Sequence, residues 1–108
     1  MLVKVLIKRR VKKGKAMEVF KQLRKIRSEA VKQEGYISGE TMIDPDDAQN
    51  VLVISTWQSM DSWMDWKNNE TRKNANAQLD GLLEKPTEYE NYIYSKFYLK
   101  VSAETGEA

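Results

Sequence analysis

Val51-Leu52-Val53-Ile54-Ser55-Thr56-Trp57 runs directly into Gln58-Ser59-Met60-Asp61-Ser62-Trp63-Met64-Asp65-Trp66, and the hydrophobic period changes between the two halves. The first half is an apolar, β-branched run of strand length. In the second, Met60, Trp63 and Met64 recur at helical spacing, with Ser59 placed to cap a short helix reaching Lys67. Upstream, Asp44-Pro45-Asp46-Asp47 is a turn with a mechanism: proline fixes φ, and the Asp side chains bond the local backbone. The strand over Gln49–Trp57 is therefore entered through a tight antiparallel hairpin and left through a helix. All three tryptophans lie in this stretch, which marks either a core hub or a pocket wall.

Working outward, Leu2 to Val11 alternates, with Val3, Val5, Ile7 and Val11 on one face and Leu2 and Leu6 on the other, as a strand requires. Lys12-Lys13-Gly14-Lys15 is a turn. From Lys15 to Gln33 the stripe Ala16, Phe20, Leu23, Arg27, Ala30, flanked by Val19 and Ile26, follows the 3.6-residue period, and Gly35 reads as the C-terminal glycine of that helix. Tyr36–Ile43 is the strand that enters the hairpin. Beyond the tryptophans, Asn68-Asn69 breaks the short helix and a further helix is expected over Thr71–Leu83. Pro86 then leads into a long aromatic strand over Glu88–Val101. Residues 1–101 make one domain, and Ser102–Ala108 is expected to be a loose tail.

The order β-α-β-β-α-β, with the second helix in two pieces, is the ferredoxin-like pattern of an α+β fold: a four-stranded antiparallel sheet with helices on one face. Val51-Leu52-Val53-Ile54 and the last strand are apolar on both faces, whereas two helices cover only one. The expectation is a homodimer packed sheet to sheet across a two-fold axis.

Several functions are excluded or weakened by composition. Cysteine and histidine are both absent, which removes disulfides, thiol chemistry, the commonest metal ligand and the usual general base. Asp44, Asp46 and Asp47 lack the spacing and glycine of a calcium loop, and no metal site is expected. No apolar run approaches the roughly 18 residues of a membrane span, and the N-terminus lacks a signal-peptide pattern, so the expected location is cytoplasmic. Residues 1–33 hold 12 basic against 2 acidic residues, net +10, while the other 75 hold 6 against 14, net −8. The basic third fits a solvated helix face and a lysine-blunted strand better than a nucleic-acid surface, since no known nucleic-acid motif accompanies the charge. A further option is that basic and acidic parts meet within an oligomer.

Polar residues on apolar stripes are the candidate site. Arg27 on the first helix, and Arg72 and Asn76 on the stripe 72, 75, 76, 79, 82, 83 of the third, interrupt faces that should point at the sheet. Each arginine either snorkels to the edge, with Asn76 bonding nearby backbone, or they line a pocket between helices and sheet. Trp57 and Trp63 read as core. Trp66, three residues after Trp63 and six before Arg72, is placed to reach the same space.

With these residues in place, the chain resembles the antibiotic biosynthesis monooxygenase family, small dimeric ferredoxin-like proteins (dimeric α/β barrels). The resemblance runs from about residue 3 to 98. It rests on Val11-Lys12-Lys13-Gly14-Lys15-Ala16 with Phe20, on Glu34-Gly35-Tyr36, and on Trp57-x-Ser59 followed by Trp63-x-x-Trp66. Trp66 is similar to a residue of the haem-degrading branch, but that branch has a histidine ten residues later and an asparagine on the first strand, where this chain has Asn76 and Ile7. The absence of histidine argues against haem degradation. The other branch implies a cofactor-independent monooxygenase, acting with O₂ on a small phenol- or quinol-type aromatic without metal or flavin. The implied catalytic groups are Trp66, Asn76 and Arg72, with Arg27, Trp63 and Trp66 binding substrate; a base would have to be a carboxylate, a tyrosine or solvent. The alternative is a non-catalytic dimeric module that binds a small apolar ligand or is purely structural.

Overall fold

Alternation along Val3–Arg10 (β1) puts Val3, Val5, Ile7 and Arg9 on one buried face, continued by Val11, and Lys4, Leu6, Lys8 and Arg10 on the other. The computed structural model describes residues 1–95. In it β1 is central. It pairs antiparallel with β3 (Asn50–Trp57), from Val3↔Trp57 to Arg10↔Asn50, and with β4 (Glu88–Ile93), from Val3↔Ile93 to Lys8↔Glu88. Strand β2 (Tyr36–Ile43) pairs only with β3, giving one antiparallel sheet in the order β2-β3-β1-β4. The β2–β3 turn works as its residues dictate. Asp44 Oδ1 accepts the Asp46 N–H at 2.9 Å and Asp47 Oδ1 accepts that of Gln49 at 3.3 Å.

Three helices cover one face of this sheet. Helix α1 (Ala16–Ala30) buries Val19, Leu23 and Ala30, with Phe20 and Ile26 packed at its margin. Ala16, expected on that stripe, is exposed, because it lies in the first turn beyond the reach of the sheet. The helix also ends three residues short of Gln33: Lys32 and Gln33 donate to carbonyls three residues back, which tightens the last turn. Gly35, at φ +85°, then turns the chain into β2, and a Cβ there would collide with the Ser62 side chain.

Helix α2 (Met60–Lys67) is capped by Ser59, whose Oγ accepts the Ser62 N–H at 3.1 Å. Asn69 both ends this segment and caps α3 (Glu70–Asp80), its Oδ1 accepting the Thr71 N–H at 2.8 Å. Helix α3 stops before Leu83, the expected end. Leu82 and Leu83 form a tightened turn, and Leu83 instead bridges Val11, extending the β1 edge. Strand β4 ends at Ile93 rather than continuing through Tyr94 and Ser95; Lys96–Val101 and the expected tail 102–108 lie outside the described residues.

A single core cluster lies between sheet and helices, built on Val3, Val5, Val19, Trp57, Trp63 and Leu79. On the opposite sheet face Leu6, Leu52 and Ile54 are half-buried and Met42 and Tyr92 exposed. Lys8, which is ion-paired to Glu90, and Glu40 and Glu88 frame them. No described helix is long and apolar enough to cross a membrane.

Candidate functional site

The tryptophans form part of an aromatic chain beneath the helices. Tyr36 meets Trp57 edge-on at 5.4 Å, Trp57 lies 6.0 Å from Trp63, and Trp63 lies 6.0 Å from Tyr89 of β4. Trp57 Nε1 donates to Ser55 Oγ at 2.6 Å, which satisfies its buried polar atom. Trp57 and Trp63 are thus structural hubs, and Trp63 also carries the Arg72 guanidinium 5.1 Å from its ring centre.

Between this chain and α1 lies a small, partly open chamber of about 40 Å³, bounded by Arg9 and Ser55 from the sheet, Arg27 from α1, Trp63 and Trp66 from α2, and Arg72 from α3. It has room for a water or a small headgroup, not for an aromatic ring. Outside it, a groove of about 320 Å³ runs between α1 and α3. Ile26, Trp66 and Arg72 line both spaces and so form the wall between them.

The chamber therefore brings together Arg27, Trp63, Trp66 and Arg72. Arg72 does not snorkel: it is 3% exposed and donates to Tyr89 Oη at 3.2 Å. Arg27 is half-buried and donates to Thr41 Oγ1 at 2.8 Å, lying over Gly39, where a Cβ would come within 3.1 Å of its Nε. Asn76 is not in the chamber. It lines a crevice with Asp80, Leu83, Lys85, Pro86, Thr87 and Tyr89, and its Oδ1 accepts from Arg9 Nη2 at 3.3 Å, so it bonds a side chain rather than backbone.

Arg9 escaped the sequence reading. It is 4% exposed, its Nε has no hydrogen-bond partner, and burial pushes its guanidinium down to about 10; Tyr89 and Asp80 oppose that shift while Arg72 adds to it. The available signal was parity, since Arg9 shares the face of Val3, Val5, Ile7 and Val11. Tyr89, which touches Arg72, was legible only as one aromatic among several in its strand.

The other basic residues are placed more simply. Arg10 pairs with Asp47 and Glu84, both at 2.9 Å, and Lys8 with Glu90, so the basic third meets the acidic remainder within one chain. Among the described residues no group of three His, Cys, Asp or Glu is placed to hold a metal ion.

The family model for antibiotic biosynthesis monooxygenase matches residues 2–78, well over half of the chain. The chain belongs to the antibiotic biosynthesis monooxygenase family. No curated protein matches its sequence significantly. Solved structures do match in fold. A conserved protein from Methanosarcina mazei Go1 is 22% identical, with TM-score 0.81, covering 85% of this chain and 91% of its own. SnoaB, a cofactor-independent oxygenase from Streptomyces nogalater, is 14% identical, with TM-score 0.78, covering 86% and 92%. Rv0793 from Mycobacterium tuberculosis is 14% identical, with TM-score 0.79, covering 87% and 95%. Within the family match lie Arg9, Arg27, Trp63, Trp66, Arg72 and Asn76, whereas Tyr89 falls beyond it. Glu34-Gly35-Tyr36, one of the stretches on which the resemblance rests, has a structural role here: Gly35 packs on Ser62, its carbonyl accepts the Gln58 N–H at 2.8 Å, and Tyr36 meets Trp57.

Proposed function

We propose that this chain is a cofactor-independent monooxygenase acting on a small phenol- or quinol-type aromatic substrate. The observation that carries the reading is the position of Trp66, which with Arg72 stands between a small chamber and a groove of ligand size. Membership of the monooxygenase family and the fold shared with SnoaB support it.

The chemistry asks little of the protein beyond placement. A phenol reacting with O₂ can give a quinone and water: one oxygen atom is inserted at a ring carbon, the other leaves as water, and the substrate supplies all four electrons. The reactive form is the phenolate, whose electron-rich ring reduces O₂. Arg72 stabilises that anion, Trp66 orients the ring and excludes water, Arg27 and Trp63 bound the site, and Asn76 acts through Arg9. No carboxylate lines the chamber, which leaves Tyr36 at its edge or solvent to take the phenolic proton.

The test is oxygen consumption with a panel of hydroquinones and anthrones, comparing wild type with Trp66→Phe and Asn76→Ala. Turnover that drops in both variants is expected. No turnover above the buffer rate on any substrate removes the reading across that panel.

One observation favours a second reading, a non-catalytic module that binds a small ligand or is purely structural. The helix–sheet space is nearly filled by Trp63 and Trp66, leaving only about 40 Å³. In either case we propose a homodimer joined through the outer sheet face, where Leu6, Leu52, Ile54, Met42 and Tyr92 form an apolar stripe. Sedimentation as a monomer at micromolar concentration would overturn that part.

A further inference from the structure

Arg9 and Arg72 are the buried charged side chains of the helix–sheet core. Among the described residues neither has a carboxylate within ion-pair distance; every ion pair falls on Lys8, Arg10, Lys15, Lys32 or Lys85. A guanidinium offers five N–H donors. Among the described residues the two side chains donate one bond each, to Asn76 at 3.3 Å and to Tyr89 at 3.2 Å, both long for charge-assisted bonds. Arg72 has a partial structural explanation in its stacking on Trp63 and Tyr89. Arg9 has none, and its Nε is unbonded. Two buried charges of one sign with no carboxylate beside them oppose folding, and stability does not account for them.

An anion accounts for both. Each arginine lines the chamber, whose volume suits an oxyanion headgroup, while the groove beyond the Ile26–Trp66–Arg72 wall has the volume of a ring system. We propose that Arg9 and Arg72 form a receptor for the oxyanion of an aromatic ligand, a phenolate or carboxylate oxygen entering the chamber while the ring lies in the α1–α3 groove against Trp66. This deepens the reading given above and rests on it for the aromatic ring, not for the anion. It adds a binding residue, Arg9, and a charge requirement: a neutral ligand of the same shape leaves the guanidiniums unpaired and binds weakly. Trp66 and Arg72 border both spaces, so a ligand that occupies both lies against their side chains.

Calorimetric titration at pH 7 with 2-naphthoate and its uncharged counterpart 2-naphthamide tests the receptor directly, because neither needs to react. Wild type is expected to bind naphthoate at least tenfold more tightly than naphthamide. Arg9→Gln and Arg72→Gln are expected each to abolish that preference, and Arg9→Gln, at a position that does not line the groove, to leave naphthamide affinity within twofold. A parallel titration with 2-naphthol, read by the naphtholate absorption band, separates the two sources of charge. Ionisation on binding assigns the anion to a phenolic oxygen, and naphthoate binding without it assigns the anion to a carboxylate substituent. Equal affinity for naphthoate and naphthamide, or no binding of naphthoate and naphthol up to their solubility limits, overturns the receptor, as do folded arginine variants that keep the preference. If either variant fails to fold, the wild-type comparison and the charge-keeping variant Arg9→Lys, expected to retain part of the preference, still decide. Oxygen turnover without charge preference removes the receptor and leaves the oxygenase reading; charge preference without turnover does the reverse.

Discussion

Arg9 and Arg10 are adjacent in β1, yet they lie on opposite faces of the sheet in opposite circumstances. Arg10 keeps contact with solvent and makes four side-chain hydrogen bonds. It donates to Asp47 and Asn50 at 2.9 Å, to Glu84 at 2.9 Å and to Gln49 at 3.3 Å, tying the β2–β3 turn and the α3–β4 connection to the end of β1. Arg9 is sealed in the core with one long bond and an unbonded Nε. Partners are thus supplied where water would have solvated the charge anyway, and withheld where an unpaired charge is costly. The outer face uses charge to hold the scaffold together. The helix face holds buried charge without such partners, as the proposed receptor would require.

Substitutions on the two faces should separate these roles. The largest effect belongs to the aromatic hub of the helix face. Trp63→Ala should cost about 3–5 kcal/mol in urea denaturation, since it removes the ring that joins Trp57, Tyr89 and Arg72. A smaller change of opposite sign is expected beside it: Arg9→Leu should raise stability by on the order of 1 kcal/mol, because an unpaired buried charge is replaced by an apolar group and half-buried Asn76 can bond water instead. A loss there would mean that Arg9 is structural after all.

On the outer face Arg10→Ala should lower the melting temperature modestly, and the deficit should shrink in about 1 M salt. The smallest effect is in the pH profile. Arg10, together with the Gln49 backbone N–H, holds the Asp47 carboxyl below its usual range. A depressed folded-state value stabilises above the unfolded value of about 3.9 and loses that contribution as pH falls through the folded one. The melting-temperature gap between wild type and Asp47→Asn should therefore be widest above about pH 5 and narrow as the pH falls below about 3.9.

How far this was readable from residues differs between elements. The strands and the hairpin announce themselves, because alternation, a proline turn and Asp side chains act locally. Ser59 likewise caps its helix as its position suggests. Helix ends are less legible. Residues 31–33 and 81–83 could continue either helix, and what stops them is a tightened last turn and, for Leu83, the claim of Val11 across the chain. The site was half legible. Arg27 and Arg72 stand out on apolar helical stripes, and Trp66 follows from its spacing. Arg9 was hidden inside Lys8-Arg9-Arg10, where three basic residues in a row read as surface, although strand alternation must turn the middle one inward if its neighbours face out. That Asn76 bonds Arg9 is a tertiary fact which neither stretch contains alone.

Gly35 carries a consequence for sequence variation. Two independent obstacles exclude other residues there: a φ of +85°, and the Ser62 side chain in the space a Cβ would fill. Changing Ser62 to glycine would lift only the second, and would leave α2 without the serine hydroxyl that Ser59 Oγ reaches at 3.1 Å. Positions 35 and 62 therefore form an asymmetric pair. Variation at 62 is open to a chain that keeps glycine at 35, while no change at 62 opens position 35. A substitution library that treats the two as independent would waste most of its members at the first of them.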